Sequence, residues 1–165
     1  MLMFRFTKTL MKDMKATPVE NEKIPLLYSW HANIIKLNNR KHIIFINDRS
    51  RLCVIIDGVR SSQLNVLKDK FRAALTEYLL SEGVQAQAIE SYFQPGTEWL
   101  IAKTNSRSVR SSMTEFYLYA KHLEREYDNN HERMKSLNRL IFKPIDYYEP
   151  RNVFKEEIAK LQTVK

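Results

Sequence analysis

An α+β fold follows from three observations. Residues 31–57 hold three short runs rich in β-branched and apolar residues, separated by tight turn sequences, which reads as an antiparallel meander. Two longer stretches, around 64–83 and 109–127, repeat apolar residues at helical spacing, which reads as two long amphipathic helices. A final amphipathic segment follows Pro150. The expected architecture is an antiparallel β-meander sheet packed with the two long helices. Residues 1–145 are expected to form a single α+β domain, and residues 146–165 a C-terminal extension with a short helix.

Taken in order, Phe4-Arg-Phe-Thr7 alternates apolar and polar residues, as a half-buried strand does, and a brief helix over about Lys8–Lys15 follows. Ala16 to Pro25 is polar and punctuated by prolines, which predicts a loop. The meander strands are expected at about His31–Leu37, His42–Asn47 and Leu52–Asp57, joined through Asn38-Asn39-Arg40 and Asp48-Arg49-Ser50-Arg51. Ile43–Ile46 and Cys53–Ile56 are apolar on both faces, the pattern of central, covered strands. Asp57-Gly58 breaks the sheet, and Ser61 or Ser62 can cap the next helix. Leu64, Leu67, Phe71, Leu75, Tyr78 and Leu79 then make its apolar stripe, which stops near Gly83. A helix over about Gln85–Phe93 ends at Gln94-Pro95-Gly96, and a strand over Glu98–Lys103 comes next. Val109, Met113, Phe116, Ala120, Leu123 and Tyr127 form the second long stripe, and a helix over about His131–Leu140 follows. Lys143 to Pro150 is an extended connector, and Val153, Phe154, Ile158 and Leu161 mark the last helix.

Composition narrows the function classes. At 165 residues, 44% hydrophobic and 28% charged, the chain matches one soluble globular domain. Only three glycines are present, and no glycine-rich phosphate loop, dinucleotide fingerprint or nucleophile elbow occurs. The lone Cys53 forms no internal disulfide, and neither a signal peptide nor a run of about 18 apolar residues is found, so a cytoplasmic protein is expected. The net charge of +8 is uneven: residues 1–60 carry +6, residues 61–100 carry −2 and residues 101–165 carry +4. Should the first and last of these regions share a face, that face would attract polyanions.

Lys103-Thr104-Asn105-Ser106-Arg107-Ser108-Val109-Arg110-Ser111-Ser112 is the most informative stretch. It lies where a strand gives way to a long helix. Unpaired N–H groups at a helix start, the helix dipole and arginine forks all suit an anion. The competing reading is that Asn105 or Ser106 merely caps the helix and the arginines are solvated. A second polar cluster comes from His31 and Asn33, which share one strand face, with Asn47 on the adjacent strand and Lys8 after the first. If Lys8, His31, Asn33, Asn47 and Arg107 converge, they form a site for phosphate or carboxylate, with His31 its general base. His31 and Asn33 can equally be solvated edge residues. The four histidines fit no metal template, so neither metal nor cofactor is expected. Glu98 and Lys103 lie five apart and point to opposite faces of a strand, which disfavours a nuclease pair.

Arg5-Phe-Thr-Lys8, Trp30-His-Ala-Asn33, Phe45-Ile-Asn47, Gly58-Val-Arg60, Ala102-Lys-Thr-Asn-Ser-Arg-Ser-Val109, Ser112-Met113 and Leu137-Asn-Arg139 together resemble an uncharacterised bacterial family known only as a domain of unknown function. The resemblance spans about Arg5 to Ile145 and implies a compact α+β domain without an established activity. Members of that family tend to carry Gly-Asp before the tryptophan, where this chain has Tyr28-Ser29, and the helix beyond Pro150 lies outside the shared region.

Two functions from different classes are consistent with these residues. One is a non-catalytic binder of nucleic acid or nucleotide phosphate, using Lys103, Arg107 and Arg110, with Arg49 and Arg51 beside them. The other is an enzyme acting on a small phosphorylated or carboxylated substrate, with Arg107 as clamp and His31 as acid/base. A third is a regulatory module that meets a protein partner through residues 150–162.

Overall fold

Residues 1–20, 23–95 and 97–163 are described in the computed structural model; Asn21 and Glu22 of the expected loop and the Gly96 stop signal lie outside the described residues. The first strand, β1 (Leu2–Phe6), is buried along its whole length rather than on one side. Thr7 then caps α1 (Lys8–Met14), its Oγ1 accepting from the Leu10 N–H. A single 3₁₀ turn at Leu26–Tyr28 leads into the meander of β2 (Ser29–Leu37), β3 (Arg40–Asn47) and β4 (Cys53–Asp57). The β2–β3 hairpin closes through Asn38 and Asn39, both at positive φ (50° and 62°), the geometry that asparagine tolerates in a two-residue turn. Gly58 follows β4 because a Cβ there would sit 2.7 Å from the Lys41 carbonyl oxygen. The remaining elements are α2 (Leu64–Ser81), α3 (Ala86–Phe93), β5 (Trp99–Lys103), α4 (Arg107–His122), α5 (Asn130–Leu137), a second 3₁₀ turn at Lys143–Ile145 within the expected extended connector, and α6 (Pro150–Thr163).

The sheet is mixed, which corrects the expectation of an antiparallel one. Strand order is β4-β3-β2-β1-β5, with β2, β3 and β4 antiparallel and β1 parallel to both β2 and β5. Parallel neighbours need crossovers, and α1 with the following loop supplies one while α2 and α3 lie on the path to β5. β4 is likewise an edge strand, not a central one. Its apolar pattern reports the packing of α2 and α5 against it, not a strand on both sides. The Asn138 side chain covers the edge, donating to the Cys53 carbonyl (2.9 Å) and accepting from the Cys53 N–H (2.7 Å).

Three helix boundaries also differ from expectation. Ser61 and Ser62 do not cap α2; Gln63 precedes it without a side-chain cap bond, and Ser61 Oγ donates to the Asp13 carbonyl. The helix α4 stops at His122 rather than Tyr127, where the β2–β3 turn pins the chain: Asn38 N–H donates to the Glu124 carboxylate (2.9 Å) and Asn38 Nδ2 to the Glu124 carbonyl (3.1 Å). The helix α5 ends at Leu137, just before the Asn138 that covers β4.

The two faces of the sheet are chemically different. Phe71 of α2 packs against Phe4, Trp30 and Phe45 on one face, with ring centroids 4.9, 5.0 and 4.7 Å away. Phe154 of α6 is fully buried against Trp30 and Tyr92, so the C-terminal helix spends its apolar stripe on the body of the protein. The opposite face carries Arg5 and His31, alternate to those aromatics, and α4 lies over it.

Candidate functional site

The register sets Arg5 of β1 beside His31 of β2, in the middle of a covered sheet. Both are buried, Arg5 at 3% exposure and His31 at 0%, so each needs partners. Asp48, just after β3, supplies them. His31 Nδ1 lies 2.7 Å from Asp48 Oδ1, and Ser29 Oγ donates to Asp48 Oδ2 at 2.7 Å. Arg5 Nε donates to Ser29 Oγ (3.1 Å) and Arg5 Nη1 to the Lys103 carbonyl (3.4 Å). The Asn105 N–H donates to His31 Nε2 at 3.3 Å. Nε2 is therefore the acceptor nitrogen, and the ring proton sits on Nδ1, facing Asp48.

Arg51 ties this floor to α4. It holds a positive φ of 63° in the β3–β4 turn and is 6% exposed. Its Nη1 donates to the Asp48 carbonyl, its Nε to Ser112 Oγ (3.0 Å) and its Nη2 to Ser108 Oγ (2.8 Å). Burial pulls the pKa of both Arg5 and Arg51 below the ordinary guanidinium value, and the Asp48 carboxylate opposes that pull. Above this floor lies a cleft of about 580 Å³ lined by Arg5, Ser29, Asp48, Arg51, Asn105 and Ser106.

The mouth of the cleft is the start of α4. Ser106 is the N-cap, its Oγ accepting from the Val109 N–H at 3.2 Å. Arg107 and Ser108 begin the helix with N–H groups that have no intrahelical acceptor. No acidic residue lies in the first turn. Lys103, Arg107 and Arg110 are exposed around it, and Thr104 is half-buried. Cations at the positive end of a helix dipole cost about 0.3–1 kcal/mol each, where a carboxylate would be favourable.

The other sequence-selected residues fall as follows. Asn33 turns to Thr7, 2.6 Å away, and with it the entrance of α1. Asn47 is buried in the β3–β4 turn, its Oδ1 accepting from the Arg49 and Ser50 N–H groups and its Nδ2 donating to the Leu27 carbonyl. Lys8 is exposed at the start of α1. Arg49 reaches Glu157 of α6 at 3.2 Å. His31 and the 103–110 loop meet directly, through Asn105. Arg5, Ser29 and Asp48 belong to the cluster but were not among the expected site residues, and Ser112, at the end of the 103–112 stretch, joins them. No local signal singles out Arg5, since a charge flanked by two phenylalanines is also the pattern of an outward-facing residue on a half-buried strand.

Among the described residues, no group of three or more His, Cys, Asp or Glu has a metal-binding arrangement, and no helix is long and apolar enough to cross a membrane. No curated protein is similar enough to this chain to count as a match. Residues 3–153 do match one family across most of the chain, and the protein belongs to it: the family described as Domain of unknown function (DUF6933).

Proposed function

We propose that the protein is a non-catalytic binder of phosphate groups, carried by a nucleotide or a nucleic acid, at the entrance of α4. The observation that carries this reading is the concentration of exposed Lys103, Arg107 and Arg110 around a helix start that lacks any acidic residue in its first turn. Folding alone gains nothing from that arrangement, whereas a phosphate would accept from the free N–H groups and from the arginine forks. Charge-assisted bonds of this kind are worth about 1.5–3 kcal/mol each. Arg51 and its serine partners hold the first turn in place, so the donors are presented on a fixed backbone.

The test is fluorescence anisotropy of labelled single- and double-stranded DNA and RNA, titrated with protein at several salt concentrations. Micromolar or tighter binding at low salt, falling steeply as salt rises and weakened about ten-fold in Arg107→Ala, is expected. Absence of binding at low salt to any of the four probes rejects the nucleic-acid form of the proposal.

One observation favours the enzyme reading: the His31–Asp48 pair orients an imidazole as a general base would be oriented. Its Nε2, however, is buried and already holds the Asn105 N–H, so substrate would have to displace that loop. Turnover of a small phosphate ester or carboxylate by the wild type, lost in His31→Gln, would favour this second reading.

A further inference from the structure

A second cleft lies away from α4, between the β2–β3 turn, the end of β4 and the start of α5, with a volume of about 780 Å³. Four buried side-chain polar atoms among the described residues lack a hydrogen-bond partner, and three of them belong to two residues lining this cleft: Nδ1 and Nε2 of His42 and Nε of Arg133. Both side chains sit in residues more than nine-tenths buried, His42 at 5% exposure and Arg133 at 4%. Arg133 spends its other nitrogens on neutral acceptors, Asn130 Oδ1 (2.8 Å) and the Tyr127 carbonyl (3.0 Å). Unpaired buried donors and acceptors are costly, and their gathering in one place marks a position built for a polar group.

The surroundings narrow what that group can be. Two arginines, Arg40 and Arg133, face four carboxylates in the lining, Asp57, Glu77, Asp128 and Glu132. A bare anion such as phosphate is disfavoured by the four acids, and a bare cation by the buried guanidinium. Asp57, Glu77, Asn130 and His131 also wall an adjoining compartment of about 270 Å³, whose other lining residues, apart from Lys70, are apolar and include Ile56, Ala74 and Met134. Asp57 gives one oxygen to Asn130 Nδ2 (3.0 Å) and has a second to offer. Along this groove the chemistry thus runs from hydrogen-bond donors, through carboxylates, to an apolar pocket. An α-amino acid carries its groups in that order: carboxylate, ammonium, side chain.

We infer that this groove binds a free α-amino acid with an apolar side chain. Its carboxylate accepts from Arg133 Nε and His42 once these side chains turn their buried nitrogens toward the cleft, its ammonium group faces Asp57 and Glu77, and its side chain enters the compartment beside Ile56, Ala74 and Met134. The site is independent of the phosphate reading, because it shares no residue with the α4 entrance.

The test is a two-dimensional amide NMR titration of the full chain with leucine, with leucinamide, N-acetyl-leucine, glucose and inorganic phosphate as comparison probes. Leucine is expected to shift the amides of His42, Asp57, Asn130, His131 and Arg133 saturably. The two blocked derivatives, lacking carboxylate or ammonium charge, should bind at least about ten-fold more weakly. His42→Phe and Asp57→Asn should each weaken leucine to a similar extent. His42→Phe should unfold at no lower temperature than the wild type, since it removes two unpaired nitrogens, and Asp57→Asn keeps the oxygen that holds Asn130. No saturable shift at millimolar leucine overturns the inference. So do blocked derivatives that bind as well as leucine, glucose or phosphate acting in leucine's place, or a His42→Phe variant with a lowered unfolding temperature.

Discussion

The two faces of the five-stranded sheet bury different mixtures of side chains, although the same strands supply both: apolar residues fill both, and only the α4 face adds a buried polar cluster. On the α2 face, Phe4, Trp30 and Phe45 meet Phe71 in a cluster of aromatic rings whose one polar group, the Trp30 indole N–H, donates to the Tyr92 hydroxyl at 3.0 Å. On the α4 face, Arg5, His31, Asp48, Arg51 and Ser112 are just as buried, yet each is held by directed hydrogen bonds. Apolar burial stabilises in proportion to area and tolerates small shifts. A buried polar network fixes geometry and fails abruptly when one member is removed. The aromatic face therefore carries stability, and the polar face carries the placement of the α4 entrance.

The largest effect expected is from Phe71→Ala, which empties the centre of the aromatic face. It should cost about 3–5 kcal/mol in urea unfolding, while phosphate affinity per folded molecule stays unchanged. A loss of affinity at full folding would mean that the two faces are coupled. Next is Asp48→Asn, which leaves His31 and Arg51 in place and removes the charge between the buried guanidinium groups. About 3 kcal/mol is expected, and here affinity should fall with stability, because His31, whose Nε2 holds the Asn105 N–H before α4, loses the carboxylate that orients its ring. A cost below about 1 kcal/mol would show that the network is not what fixes the entrance of α4.

A smaller, pH-dependent effect separates the two buried histidines of the polar face. His31 is paired with Asp48, whereas His42 has no partner for either nitrogen among the described residues. Burial first, then the nearby Arg133, pushes the His42 pKa below the usual histidine value of 6.5, Arg40 adds to this, and Asp57 opposes it. The folded state thus binds the proton less readily than the unfolded state. Stability from this residue is complete above the unfolded value and is lost as pH falls below it toward the folded value. His42→Phe removes that loss, so its unfolding free energy should gain on the wild type between about pH 7 and pH 5, by no more than about 1.4 kcal/mol per pH unit. A constant difference across that range would contradict an unpaired His42. The smallest effect belongs to Arg107→Ala. Removing an exposed cation from the positive end of α4 should leave stability unchanged or raise it by up to about 1 kcal/mol in thermal unfolding.

The contrast between the faces also explains what could be read in the sequence. Leu67, Phe71, Leu75 and Leu79 announce α2 because an apolar stripe has a period, and the Asn38-Asn39 turn announces the β2–β3 hairpin because its backbone needs those residues. Nothing periodic announces the polar cluster. Arg5 between Phe4 and Phe6 has the pattern of an outward-facing residue on a half-buried strand, and only α4 over that face makes it buried. Asp48 stands in Asp48-Arg49-Ser50-Arg51 as an ordinary turn former, with no local sign that it receives His31 from 17 residues away. The parallel pairing of β1 with β2 and β5 depends on how α1, α2 and α3 carry the chain across, which strand composition does not encode. The Lys103–Arg110 stretch could be singled out because its signal is local: a strand end, small capping residues and two arginines at a helix start.

The most direct measurement on the central claim is an amide NMR titration with a short oligonucleotide at low salt, for the wild type and Arg107→Ala. Saturable shifts centred on Thr104, Asn105, Arg107 and Ser108, weakened about ten-fold in the variant and suppressed by salt, are the expected result. Shifts scattered over the surface and unaffected by Arg107→Ala would contradict a phosphate site at the entrance of α4.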